Sequence, residues 1–65
     1  MRNTDNKEKV ILNGTVHYAA DVAMYMDDDI REEMHFERTW KSEQEFLDEY
    51  IRRHEEKFGE DFDIV

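Results

Sequence analysis

Few residues of this 65-residue chain could act as nucleophiles or hold a transition metal. Cysteine is absent, and the single serine, Ser42, begins a pattern typical of a helix N-cap. The three histidines, at positions 17, 35 and 54, lack the spacing of a metal site. His54 and Glu55 begin like a zinc-protease helix, but Phe58 stands where the second histidine belongs. We therefore predict a protein that is not an enzyme and needs no cofactor or metal.

Carboxylates are the abundant chemical groups, with 18 Asp and Glu against nine Lys and Arg and a net charge of −9. Residues 1–26 carry three acidic and three basic side chains, so all of the excess lies in residues 27–65. Residues 27–33 contain five acids but lack the ligand order and the glycine of an EF-hand, so specific calcium binding is not predicted. Such a charge distribution repels nucleic acid and attracts basic clefts.

Some of these acidic residues have a basic residue four positions later in the sequence. Asp48 with Arg52, and Glu49 with Arg53, are spaced for ion pairs on a helix. Two clusters remain, residues 27–33, which Arg31 alone opposes, and residues 60–63. We predict that a partner binds these clusters and the outer acids of the long helix: Asp27, Asp28, Asp29, Glu32, Glu33, Glu45, Glu49, Glu56, Glu60, Asp61 and Asp63.

Apolar periodicity predicts the elements that carry these charges. Two β-prone runs, residues 10–12 and 15–18, flank Asn13-Gly14, the pair best suited to a type I′ hairpin turn, although a single strand is the alternative. Residues 19–26 have apolar positions at helical spacing, and any acid of residues 27–29 could cap a further helix through Met34. Residues 35–40 alternate apolar and polar side chains, which favours an extended segment.

The best-defined element is a helix from Glu43 to Phe58. Ser42 and Glu45 form a capping box at its start, and Gly59 follows its apolar stripe as a C-terminal cap. Phe62 and the residues around it alternate again, which predicts a short strand beside the first one.

These elements predict an α+β single domain over residues 9–65, preceded by a disordered segment over residues 1–8. A short N-terminal hairpin or strand packs with two or three helices and a short C-terminal strand. An all-α arrangement, with residues 10–18 merely extended, is the alternative. No stretch approaches the roughly 20 apolar residues of a membrane span, and we expect a cytoplasmic protein of a bacterial host cell.

Three acidic-aromatic segments carry a resemblance: Met-Asp-Asp-Asp-Ile-Arg-Glu-Glu at residues 26–33, Glu-Phe-Leu-Asp at 45–48 and Glu-Lys-Phe-Gly-Glu-Asp-Phe at 56–62. With them, residues 16–64 resemble the small acidic proteins of phages and conjugative elements, a class that includes anti-CRISPR inhibitors. The resemblance implies a non-catalytic inhibitor that binds a Cas effector complex and blocks the access of target DNA.

The charge pattern itself favours DNA mimicry, because carboxylates on a helix face are about 5–6 Å apart, close to the scale of phosphate spacing. The expected partner is a basic nucleic-acid-binding protein, with no direct binding of nucleic acid or membrane. The alternative is an interaction module, such as an antitoxin-like or regulatory protein, that binds through exposed apolar residues: Met24, Tyr25, Phe36 and Trp40. A homodimer that shares such a patch is compatible with either hypothesis.

Overall fold

The computed structural model describes residues 8–64. Its elements follow the order β1 (Lys9–Leu12), β2 (Thr15–Tyr18), α1 (Ala19–Ala23), α2 (Asp28–Glu37) and α3 (Glu43–Phe58). The predicted α+β class is confirmed. The segment predicted to be disordered lies outside the described residues except for Glu8, whose carbonyl accepts a hydrogen bond from the Ala19 amide at 2.8 Å.

The N-terminal run forms the predicted hairpin. Asn13 and Gly14 have φ angles of 52° and 84°, the two positive values that a type I′ turn requires. β1 and β2 pair antiparallel, with Leu12 opposite Thr15 next to the turn. Because side chains alternate along a strand, Val10 and Leu12 are buried in the core while Ile11 faces outward.

α1 is shorter than the predicted helix over residues 19–26, because it ends at Ala23. The amides of Tyr25 and Met26 instead bond to carbonyls three residues earlier, at 3.0 and 3.2 Å, which tightens the last turn. Arg31 of α2 also donates from Nη1 to the Ala23 carbonyl at 3.0 Å, so this carbonyl at the end of α1 accepts two hydrogen bonds. Met26 is buried, as the helical period predicted.

α2 begins as predicted, because Asp27 Oδ2 accepts a hydrogen bond from the Ile30 amide at 3.1 Å. The prediction of an extended segment is wrong for residues 35–37, which continue the helix to Glu37. Phe36 is 87% exposed and contributes nothing to the core. Its apolar side chain nevertheless alternates with polar neighbours in the sequence, and this alternation led to the prediction of an extended segment. The indole Nε1 of Trp40 donates to the Met34 carbonyl at 2.6 Å and helps to hold the end of α2.

α3 has the predicted bounds, Glu43–Phe58. Ser42 Oγ accepts from the Glu45 amide at 3.1 Å, while the Glu45 carboxylate accepts from the amide of Lys41, one residue before the usual capping-box donor. Gly59 has a φ of 74°, and its amide donates to the Glu55 carbonyl at 2.8 Å.

The predicted C-terminal strand is wrong, since residues 61–64 form no strand and the sheet of the described chain has two strands. At Ile11 the free edge of β1 is already occupied. The Gln44 side chain accepts from the Ile11 amide at 2.7 Å and donates to the Ile11 carbonyl at 3.1 Å. The C-terminal residues pack through a side chain instead, with Phe62 buried against Tyr50 at a ring distance of 4.7 Å.

Tyr50 lies at the centre of the core, with no exposed surface. Its hydroxyl accepts a hydrogen bond from the Asp27 amide at 2.6 Å, at the start of α2. One side chain of α3 thus contacts both the N-cap of α2 and, through Phe62, the C-terminal segment. The other buried apolar residues surround it: Val10, Leu12, Ala19, Val22, Met26, Ile30, Met34, Phe46 and Leu47.

We predict that Tyr50→Phe lowers the free energy of unfolding by about 1–2 kcal/mol, because the Asp27 amide loses its acceptor. Urea denaturation measures this difference. Tyr18→Phe is the control, since Tyr18 is 47% exposed on the outer face of the hairpin, and it should change stability by less than about 0.5 kcal/mol. An equal loss of stability in the two variants would show that the buried hydrogen bond does not contribute to the free energy of unfolding.

Candidate protein-binding surface

The first predicted acidic cluster lies beside the last turn of α3. Lys57 Nζ is 3.0 Å from Asp27 Oδ2 and 3.7 Å from Asp29 Oδ2. Sequence reasoning had assigned this cluster a single opposing cation, Arg31, which pairs with Asp28 at 3.1 Å. The cluster is therefore less isolated electrostatically than predicted, because a cation about 30 residues away in sequence reaches it.

Arg53 connects the two long helices. Its guanidinium forms two hydrogen bonds with the Glu37 carboxylate, at 2.9 and 3.0 Å, and donates from Nε to Glu49 at 2.8 Å. Glu33 lies 3.8 Å away. The guanidinium also lies over the Trp40 ring, 5.9 Å from its centroid. A paired, bidentate arginine of this kind fixes the rotation of α2 against α3.

Of the two ion pairs predicted along α3, the one between Glu49 and Arg53 is confirmed. The pair between Asp48 and Arg52 is wrong, because Asp48 accepts a hydrogen bond from Gln44 at 3.1 Å. Arg52 instead binds Glu49 at 2.8 Å and approaches Glu56 at 3.7 Å. Glu49 therefore sits between two guanidinium groups.

These contacts build a surface that we call the α2–α3 acidic face. Its carboxylates are Asp29, Glu32, Glu33, Glu37, Glu49 and Glu56. A shallow groove between the helices, with Ile30 at its base, is lined by four of the charged residues of α3 and two acids of α2. Arg52, Arg53 and Lys57 lie within 3.8 Å of six carboxylates, which are those of the face without Glu32 and with Asp27, so this ion-pair network keeps a net charge of −3.

The outer side of α2 carries the least compensated part of this face. Asp29, Glu32 and Glu33 are spaced i, i+3 and i+4, so they lie on one stripe, away from the buried Ile30 and Met34. Glu32 has no basic side chain within salt-bridge distance among residues 8–64. The Asp29 side chain is 89% exposed and the Glu33 side chain 68% exposed. These carboxylates are available to a cationic partner.

The second predicted cluster, Glu60, Asp61 and Asp63, is exposed and follows the Gly59 cap. The main chain is held by His54, whose Nδ1 lies 3.1 Å from the Glu60 carbonyl oxygen and carries the proton of that contact. The buried Phe62 alternates with the exposed acids of this segment. Tyr50 contacts both the Asp27 amide and the Phe62 ring, and Asn13 Nδ2 donates to the Phe62 carbonyl at 3.2 Å, so the segment runs from the end of α3 toward the hairpin turn.

Three of the predicted binding residues occupy other positions. Glu45 lies at the opposite end of α3, where it binds the Lys41 amide. Asp28 points toward Arg31 on the side of α2 that faces α1. Asp27 is a structural residue, since its carboxylate caps α2 and binds Lys57. The Lys57 ammonium and the Ile30 amide lower the pKa of Asp27.

Glu37 is the acidic residue that sequence reasoning missed. The helix was predicted to end before it, so its position four residues after Glu33 was not recognised as one face of α2. The crossing contacts of Arg53 and Lys57 were missed too, because no local spacing indicates which helix a side chain will reach.

A family model described as anti-CRISPR protein AcrIC5 matches residues 10–62, a segment that runs from β1 to Phe62 and covers well over half of the chain. The chain belongs to the AcrIC5 family of anti-CRISPR proteins. The resemblance seen in the acidic segments is thereby confirmed. As a member of the AcrIC5 family, the protein is an anti-CRISPR inhibitor that binds a CRISPR–Cas component. No curated protein matches the chain.

In the described part of the chain, no cluster of three or more His, Asp or Glu side chains is arranged to hold a metal ion. No helix within residues 8–64 is long and apolar enough to cross a bilayer.

We predict that Glu49→Gln removes stability in a pH-dependent way. The guanidinium groups of Arg52 and Arg53 lower the pKa of Glu49 from 4.5 to about 2. A carboxylate with a lowered folded pKa contributes stability above its unfolded pKa and loses it as the pH falls through the folded value. The difference in free energy of unfolding between wild type and variant should therefore be largest above pH 4.5 and shrink toward pH 2.

Urea titrations at several pH values measure this difference. Glu55→Gln is the matched control on the same helix, because Glu55 has no basic side chain within salt-bridge distance among residues 8–64. A difference for Glu49→Gln that stays constant with pH would contradict the assignment of the ion pairs.

Proposed function

We propose that the protein inhibits a CRISPR–Cas effector complex by DNA mimicry, with the α2–α3 acidic face occupying the basic surface that receives target DNA. The observation that carries this proposal is the arrangement of six carboxylates around three cations across the two helices. The charge is in excess, and the close ion pairs between the helices fix the position of the helix face that carries it.

Fixed position matters because a mimic must present its charges without first ordering them. Each rotamer-rich side chain that becomes immobile on binding costs about 0.5–1.5 kcal/mol. Arg53 already holds Glu37 and Glu49, and Lys57 holds Asp27 close to Asp29. The cations of α3 therefore act as braces between carboxylates, and the face keeps its net negative charge.

The field of the whole molecule supports the same proposal. A net charge of −9 on 65 residues accelerates association with a basic groove and makes it sensitive to salt. The same field opposes direct binding to nucleic acid. The exposed C-terminal acids, Glu60, Asp61 and Asp63, add to this field.

Inhibition by occupancy requires no active site. We propose that the protein is not an enzyme and that one inhibitor molecule blocks one DNA-binding surface. Within the face, Asp29, Glu32, Glu33 and Glu56 contact the partner, while Asp27 and Glu49 hold the helices in place. Asp28 and Glu45 lie at the margins of this arrangement.

The first experiment identifies the target. Purified, guide-loaded effector complexes of different CRISPR types are mixed with labelled target DNA, and fluorescence anisotropy measures DNA binding as the inhibitor is added. We expect one complex to release or exclude its DNA at a one-to-one ratio. A complex that binds the inhibitor and still binds its target DNA with full affinity would overturn DNA mimicry.

The second experiment tests the face itself. We predict that the triple variant Asp29→Asn, Glu32→Gln, Glu33→Gln binds the complex about tenfold or more weakly, because three exposed charge contacts of up to about 1 kcal/mol each are lost. The salt dependence of binding should become less steep, since fewer charges take part. Circular dichroism should show an unchanged fold, because these side chains are exposed.

A matched control removes the same number of charges elsewhere: Asp21→Asn, Asp48→Asn and Glu55→Gln, which lie on α1 and on the outer side of α3. We expect this control to bind within about threefold of wild type. An equal loss in both triple variants would show that only net charge matters, and an effect in neither would sink the proposal. Weak salt dependence would instead favour the apolar interaction module.

A further inference from the structure

Phe36 is the most exposed of the large apolar side chains in residues 8–64, at 87%. It lies on the outer stripe of α2, four residues after Glu32 and three after Glu33. Within the described chain, its ring stacks on no aromatic side chain and holds no cation. An isolated, fully presented aromatic ring thus stands within the α2–α3 acidic face.

Folding does not explain this residue. Phenylalanine is a weaker helix former than alanine or glutamate, so an exposed position in α2 gains nothing from it. The end of α2 is already held by the Trp40 indole and by the ion pair between Glu37 and Arg53. The Phe36 ring is therefore free to make a contact outside the chain.

The molecule itself uses the combination of ring and carboxylate to hold cations. Arg53 lies over the Trp40 ring at 5.9 Å while it binds Glu37. Lys57 lies 5.2 Å from the centre of the Phe58 ring while it binds Asp27. In each case the face of a ring and a carboxylate share one positive charge.

Phe36 and Glu32 repeat this combination without a cation from residues 8–64. We infer that an arginine of the partner fills this position, with its guanidinium stacked on the Phe36 ring and hydrogen-bonded to Glu32. Arginine fits better than lysine, because its planar guanidinium stacks on aromatic faces and binds carboxylates at the same time. This inference rests on the proposed function and names the contact that anchors it.

The acidic stripe around the ring supports a cationic occupant by charge complementarity. An apolar pocket alone would have to desolvate Asp29, Glu32 and Glu33 without compensating their charge, which is unfavourable. Aromatic residues at the centre of an interface commonly carry much of its binding energy. Phe36 would therefore supply affinity, while the surrounding carboxylates supply attraction over distance.

The test uses three variants at one position with the effector complex that the inhibitor displaces from DNA. Phe36→Ala should weaken binding at least tenfold, about 1.4 kcal/mol, with an unchanged salt slope because no charge is removed. Phe36→Leu should lose most of the same affinity, since it keeps apolar area but has no π face, and Phe36→Trp should retain it. None of these variants should lower the midpoint of thermal unfolding, because the ring is exposed.

Met24→Ala is the control, because Met24 is also apolar and 76% exposed but lies in the turn after α1. It should bind like wild type. If Phe36→Ala binds within twofold of wild type while the triple charge variant is impaired, the inference is wrong and the proposed function stands. If Phe36→Leu binds as well as wild type, the occupant is an apolar pocket and the inference is also wrong.

A second measurement does not depend on the effector complex. Nuclear magnetic resonance follows the Phe36 ring and Glu32 signals during titration with an arginine nonapeptide and with a lysine nonapeptide. We expect larger shifts and tighter binding with the arginine peptide, and loss of that preference in Phe36→Ala but not in Met24→Ala. Equal responses to the two peptides in wild type would overturn the inference.

Discussion

The arrangement of the molecule depends on the buried side chain of Tyr50. Its hydroxyl holds the amide that begins α2, and its ring packs against Phe62 of the C-terminal segment. Because both contacts come from one residue of α3, the start of α2 and the end of the chain are fixed relative to the same helix. The register of the charged side chains follows, since only a fixed α2 brings Glu33 and Glu37 opposite Arg53.

The positive charges of this acidic protein have a structural purpose. Arg52, Arg53 and Lys57 each contact two or more carboxylates, and none of them is paired one to one. Opposite charges in such a network reduce repulsion between neighbouring acids without cancelling it. A sequence with fewer basic residues would carry more negative charge, but its carboxylates would move independently. The protein thus combines a strong negative field with a defined arrangement of charges.

Sequence reasoning succeeded where the signal was local and failed where it depended on packing. Asn13-Gly14 and the Ser42 cap specify their own backbone geometry, so the hairpin and α3 could be predicted. The helical conformation of Phe36 could not be predicted, because an exposed apolar residue does not fit the apolar period of a helix that packs on a core. The two acidic clusters were visible in composition, but their approach to Arg53 and Lys57 was not, because it depends on how α2 lies against α3.

The two hydrogen bonds between the Gln44 side chain and the Ile11 main chain also affect the tendency of the protein to aggregate. A free strand edge can recruit a strand from another molecule, which is a common route to aggregation. The Gln44 amide occupies both the donor and the acceptor that β1 would offer at Ile11. A side chain of the main helix therefore protects solubility as well as shape, and it does so without adding charge to the hairpin.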